Sequence, residues 1–137
     1  MSGTPRTIAP VIVSCYNGTG AVIAANRQVM PDTTYDGGIK YPTATTDPLL
    51  GATCAEIADG EWGDVQIAGV ALVAAHAAFS TPMTKVMSTA ATGRAVAFSA
   101  GSGVNAQNGG IAMNTALAQD DLLEVMLAGP GIVEQGA

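Results

Sequence analysis

Hydrophobic and polar positions along this chain alternate in short apolar runs broken by turn residues, which is the spacing of strands rather than of long helices. Residues Thr7 to Ser14 (TIAPVIVS) are β-branched and compact, Asn17-Gly18 is a turn signal, and a second apolar run covers Gly20 to Ala25. Strand, tight turn, strand is the simplest reading. Pro10 has no amide hydrogen to give to a central ladder, so it assigns the first run to a sheet edge or an extended arm. From Pro31 to Thr53 the composition shifts to Thr, Pro, Gly and Asp, with prolines at 31, 42 and 48. That stretch reads as a long loop, an insertion at about 31–53.

From Val65 onward the pattern becomes more regular. Gly69-Val70-Ala71-Leu72 followed by Lys85-Val86-Met87 has an echo in Gly110-Ile111-Ala112-Met113 followed by Glu124-Val125-Met126, at offsets of 41 (69 to 110) and 39 residues (85 to 124). Each unit reads as strand, small-residue connection, strand, and two such units predict a pseudo-symmetric barrel or sandwich, because a lone hairpin cannot bury its apolar face. Ala95 to Ala100 predicts another strand, and Gly101 to Gly110 a turn-rich connection. Ala71 to Phe79 and Thr115 to Val125 carry residues that also favour helix, with Asn114 available as a cap. The expected fold is mainly β: a small β-barrel or β-sandwich with long loops, an extended N-terminal arm over 1–10, one β-rich domain over 11–137, and at most one short helix.

Composition narrows the function. Charged residues are 12% of the chain, and Lys+Arg 5 against Asp+Glu 11 gives a net charge of -6, so there is no basic cluster to track a phosphate backbone. No nucleic acid partner is expected. The longest apolar stretch, Ile67 to Phe79, contains Gly69 and His76 and falls short of the roughly 20 residues of a membrane-spanning helix, so no membrane partner is expected either. The opening residues lack a basic stretch followed by an apolar run, which predicts no secretory leader and synthesis in the cytoplasm. Cys15 and Cys54 have neither disulfide-framework nor zinc spacing and read as free thiols. Few charges on an apolar composition fit a subunit that buries faces against copies of itself or a scaffold.

The chemistry-bearing residues form no recognisable catalytic set. Gly18-Thr19-Gly20 follows an apolar run as a dinucleotide loop would, but Ile23 stands at the third glycine position and no βαβ unit follows. His76 is the only histidine and lies in an apolar stretch. Asp120-Asp121 with Glu124, and Asp32 with Asp36, depart from the calcium-loop pattern. The expectation is a protein that is not an enzyme, with no catalytic residues, no metal and no cofactor. Trp62, in Glu61-Trp62-Gly63-Asp64, is either an interface anchor or a core residue.

Gly110 to Leu127 (GIAMNTALAQDDLLEVML), with its earlier counterpart from Gly69, resembles the ending of small capsid cement proteins, the head decoration proteins of tailed bacteriophages. In that family the pattern runs glycine, hydrophobic, alanine, a small-residue stretch, a Gly/Asp turn, then hydrophobic-x-Val-x-Leu. Gln119 and Asp120 stand where such proteins commonly carry Ala-Gly or Gly-Asp. The resemblance implies a virion protein that binds the outer surface of a phage head and clamps the major capsid protein lattice, often as a homotrimer at a local three-fold axis. Multivalent contacts of that kind must break together. The candidate interface is then Thr4, Arg6, Thr7 and Ile8 in the arm, which would add a strand to a neighbour, together with Trp62. The rival readings are a tail or fibre module, a carbohydrate-binding β-sandwich with exposed aromatic platforms, and a small enzyme or ligand-binding barrel with convergent polar groups in a pocket.

Overall fold

The computed structural model describes residues 10–44, 47–98, 105–107, 109–127 and 133–135. The arm residues Thr4, Arg6, Thr7 and Ile8 lie outside them. The described chain is all β. Its first five strands are β1 (Val11–Asn17), β2 (Gln28–Asp32), β3 (Gly38–Lys40), β4 (Gly51–Thr53) and β5 (Trp62–Ala68). They form a closed barrel in the order β1-β3-β2-β4-β5, antiparallel except for the parallel pair β1–β3. A second sheet follows, from β6 (Val70–Ala74), β7 (Thr84–Ser88), β8 (Ala95–Ala97), β10 (Gly110–Ala112) and β11 (Leu122–Met126), in the order β6-β11-β10-β7-β8. Its two edges meet at a single parallel bridge, Ala75 to Ala95, so it too curls into a barrel. Strands β9 (Asn105–Gln107) and β12 (Val133–Gln135) pair separately.

The two barrels are copies of one frame. Replacing β1 to β5 by β6, β7, β8, β10 and β11 reproduces each pairing and its direction. The registers agree as well: Cys15 faces Gly63 as Val73 faces Leu123, and Val13 faces Val65 as Ala71 faces Val125. Asn17 meets Ile39 in the parallel pair as Ala75 meets Ala95. The crossing connections are bridged by Ile23–Ile57 in one copy and Phe79–Ala116 in the other. Left-handed backbone recurs at matching places, Gly37 (φ 67) with Gly93 (φ 65) and Gly60 (φ 79) with Asp120 (φ 69). At Gly51 a Cβ would land on the Gln66 carbonyl oxygen, and at the matching Gly110 on that of Met126, so each barrel needs glycine where β4 or β10 crosses its neighbour.

Alternation explains the strands. On β1, Ile12 and Ser14 point outward while Cys15 and Asn17 are buried, and on β6 Val70 and Leu72 point outward while Ala71 and Val73 are buried. The first core is Cys15, Ile23, Val29, Ile39, Ile57 and Val65. Its counterparts Val73, Phe79, Val86, Ala95, Ala116 and Val125 belong to the second, with Leu123 added. One exchange of bulk separates the two. In the first barrel Ile57 fills the space over Gly63, where a Cβ would stand 2.6 Å from the Ile57 Cδ1. In the second, Leu123 occupies the Gly63 position and the Ile57 position is reduced to Ala116. Ile57 in one barrel and Leu123 in the other are both buried, and full burial of such an aliphatic side chain contributes roughly 1.5–3 kcal/mol.

Several expectations are corrected. Asn17-Gly18 is not a hairpin turn: the Asn17 amide turns inward, Nδ2 donating to the carbonyls of Ala21 and Ile57, both at 2.8 Å, and Oδ1 accepting from the Thr19 hydroxyl at 2.7 Å. The run 20–25 therefore crosses the barrel end, and β1 pairs with β5 and β3 instead. The stretch 31–53 is not a loop insertion, since it ends β2 and supplies β3 and β4. The described residues contain no helix, within the expected limit of at most one short helix, and Asn114 caps none: its Oδ1 accepts from the Glu124 amide at 2.7 Å. The echo between Gly69 and Gly110 is local likeness, for β6 corresponds to β1 and β10 to β4.

Backbone hydrogen bonds join the barrels. The Gln28 amide donates to the Gly93 carbonyl at 2.8 Å, Ala74 to Asn26 at 2.8 Å, and Ala91 to Pro42 at 2.6 Å. Asp120 adds an ionic tie, accepting from Arg94 Nε at 2.7 Å and meeting Arg27 Nη2 at 3.4 Å.

Candidate docking surface

Trp62 opens β5 and faces outward, 58% exposed, so it is not a core residue. Directly across the strand pair stands Tyr16, with ring centroids 5.5 Å apart and planes tilted by 49°. Tyr35, from the turn between β2 and β3, meets Tyr16 edge to face at 5.3 Å and 68°. Two glycines make this arrangement possible. A Cβ at Gly18 would come within 2.6 Å of the Tyr35 ring, and one at Gly37 within 3.0 Å of the Trp62 indole. Exposed carboxylates neighbour the rings in sequence: Asp64 shares the outward side of β5 with Trp62, Glu61 precedes Trp62, and Asp36 follows Tyr35.

The same two-strand ribbon of the second barrel is exposed and aliphatic. Val70, Leu72 and Leu122 point outward around Glu124, with Leu117 90% exposed in the neighbouring connection. A shallow depression of about 440 Å³ lies between Lys40, Tyr41, Pro42, Val22 and Ala91; the Tyr41 hydroxyl there accepts from the Ala24 amide at 2.8 Å.

Several titratable residues hold local backbone in place. His76 is exposed, and its amide donates to the Ala95 carbonyl at 2.9 Å beside the closing bridge. Asp121 accepts from the amides of Leu117 and Ala118 at 2.9 and 3.1 Å, holding that connection in place. Hydrogen bonds from Thr34 lower the Asp32 carboxyl below its ordinary value, and those from Thr43 do the same for Asp47. Both cysteines are free thiols. Burial pushes Cys15 up, and burial followed by the Asp64 carboxylate pushes Cys54 up, the direction away from a reactive thiolate. Among the described residues no three His, Cys, Asp or Glu side chains converge as metal ligands. No described helix is long and apolar enough to cross a membrane.

Of the candidate interface residues Thr4, Arg6, Thr7, Ile8 and Trp62, the structure describes Trp62 alone and brings it together with Tyr16 and Tyr35, which sequence reasoning missed. Their grouping depends on β1 pairing β5, and the sequence signal available was Trp62 and Tyr16 standing at outward positions of two alternating runs.

The described residues thus form an all-β frame of two like barrels with exposed apolar ribbons, and the chain is similar in fold to a solved protein of a bacteriophage head fiber. That protein is the N base of the head fiber gp8.5 of bacteriophage phi29, similar at a TM-score of 0.65 and 15% identity over 90% of this chain and 98% of that one. Likeness at this identity is likeness of fold. No family model matches the chain, and no curated protein does.

Proposed function

We propose that the chain is a structural protein of a phage virion, seated on the outer surface of the head and holding the major capsid protein lattice as a cement or decoration protein. The observation that carries this reading is the shared fold with a head fiber base over nearly the full length of both chains. The outward apolar ribbons agree with it, because they offer contact area and no reaction chemistry. The protein transforms no substrate and needs no cofactor in this reading. Copies of the chain associate, as a homotrimer at a local three-fold position, so that modest contacts act together.

A second reading has a specific support: the solved counterpart is the base of a fibre. The chain would then be the foot of an appendage, sharing the same seat on the head.

Cosedimentation with empty expanded heads tests both. The expected result is saturable binding at a fixed ratio to the major capsid protein and a raised disruption temperature of the particle. Failure to bind such heads, with the protein folded by circular dichroism, overturns the proposal. Attachment without any gain in particle stability would favour the fibre-base reading over cement.

A further inference from the structure

The aromatic patch on the first barrel has no counterpart on the second, although the frame beneath it does. Tyr16 facing Trp62 corresponds to Ala74 facing Leu122. Gly37 corresponds to Gly93, and Tyr35 accordingly to Ala91. The second barrel therefore closes without any of the three rings, so folding of the frame does not require them. Something other than closure accounts for three of the chain's six aromatic side chains standing together at one surface.

The surroundings say what the patch would take. From Asp32 to Asp64 the chain carries seven of its 11 acidic residues and one cation, Lys40. Lys40 borders the depression beside Tyr41, Arg27 and Arg94 are engaged by Asp120, and Lys85 lies over the Phe98 ring at 5.7 Å. The rings meet at 49° and 68°, which leaves π faces pointing in more than one direction rather than a flat platform for a sugar. Inclined π faces among carboxylates suit guanidinium and ammonium groups, which draw on ring quadrupole and carboxylate together.

We infer that the Tyr16–Tyr35–Trp62 patch is the seat of a cationic protein segment, whose arginine or lysine side chains lie on the rings and pair with Asp36, Glu61 and Asp64. This deepens the reading that the chain docks on another protein of the head, and gives the partner's contacting strand or loop a basic character. The rings are already packed against one another and against the glycine backbone, so little side-chain entropy is lost on binding.

Trp62 is the sole tryptophan, and its fluorescence therefore reports on the patch directly. The test titrates the full chain with an amidated hexa-arginine peptide, a hexaglutamate peptide and maltohexaose. The expected result is a saturable change with hexa-arginine only, weakened about tenfold or more between 50 and 500 mM salt. Asp36→Asn/Asp64→Asn, which keeps the reporter, should weaken it by about tenfold. Glu124→Gln, at the place in the second barrel matching Asp64, should leave it unchanged. Equal binding by the Asp36→Asn/Asp64→Asn variant, equal loss in Glu124→Gln, no response to hexa-arginine, or a response to maltohexaose in its place each overturns the inference. Head cosedimentation is scored separately, so binding to heads by a chain that ignores hexa-arginine sinks this inference and leaves the proposed function standing.

Discussion

Two barrels built on one frame reach closure by different side chains, and the difference separates what the frame requires from what each copy adds. Both keep glycine where one strand crosses another, left-handed backbone before the same strands, and valine at the Val29/Val86 and Val65/Val125 positions. They differ in where bulk sits, with Ile57 over Gly63 in one and Leu123 beside Ala116 in the other. They differ again on the surface, aromatic and acidic in the first, aliphatic in the second. Closure fixes backbone geometry and total volume, and leaves the placement of that volume open.

The shared glycines give the largest expected effect. Gly51→Ala and Gly110→Ala each drive a methyl group into a backbone carbonyl, and each should destabilise by about 2 kcal/mol or more in urea unfolding. Gly110→Ala should cost the more of the two, since its φ of 116 is unfavourable for alanine as well. Equal stability of either variant and the parent would break the equivalence of the two crossings.

The exchange of bulk comes next. Ile57→Ala should cost about 2–4 kcal/mol by leaving a cavity, and Gly63→Leu alone should be destabilising by overlap with Ile57. The double variant rebuilds the solution used by the second barrel and should recover at least half of the summed loss. Strict additivity in this cycle would show that the two sites do not share one volume.

The tie between the barrels is smaller. The hydrogen bond from Arg94, then the charges of Arg94 and Arg27, hold the Asp120 carboxyl below the ordinary aspartate value of 3.8. A carboxyl lowered in the folded state adds stability that is complete above its unfolded pKa and is lost as pH falls through the folded one. Asp120→Asn tolerates the φ of 69 and should lower the melting temperature slightly at pH 7 while flattening its decline below about pH 4. An unchanged acid limb would remove Asp120 from the account.

Least affected should be Trp62→Ala and Leu122→Ala, matched outward positions whose removal costs about 1 kcal/mol or less each. A much larger loss at Trp62 alone would make the aromatic cluster a structural brace rather than a contact surface.

The strand character of the chain was legible because period-two alternation is local: Ile12, Ser14 and Cys15 declare their faces within β1, as Val70 to Val73 do within β6. Residue type alone left Trp62 open between interface anchor and core, and its exposure in the structure removes the second. Pairing was not legible, because β1 joins β5 across the length of a barrel and nothing near Asn17 signals that its amide turns inward to Ile57. Thr and Pro in 31–53 concealed strands of three residues, too short to show a period. The true repeat was hidden for a related reason. Backbone geometry carries it, while the matched side chains, such as Ile39 with Ala95 or Tyr16 with Ala74, share little chemistry, and an Ala-rich chance likeness between Gly69 and Gly110 was louder.

Every strand of the first barrel precedes Gly69, and every strand of the second follows it. During synthesis, which proceeds at about 5–20 residues per second, the leading barrel has all its partners in hand before the trailing one is complete. Vectorial maturation of this kind lets the earlier unit template the later one, with the Ala74 amide on Asn26 and the Ala91 amide on Pro42 as the first backbone bonds by which the newcomer takes hold.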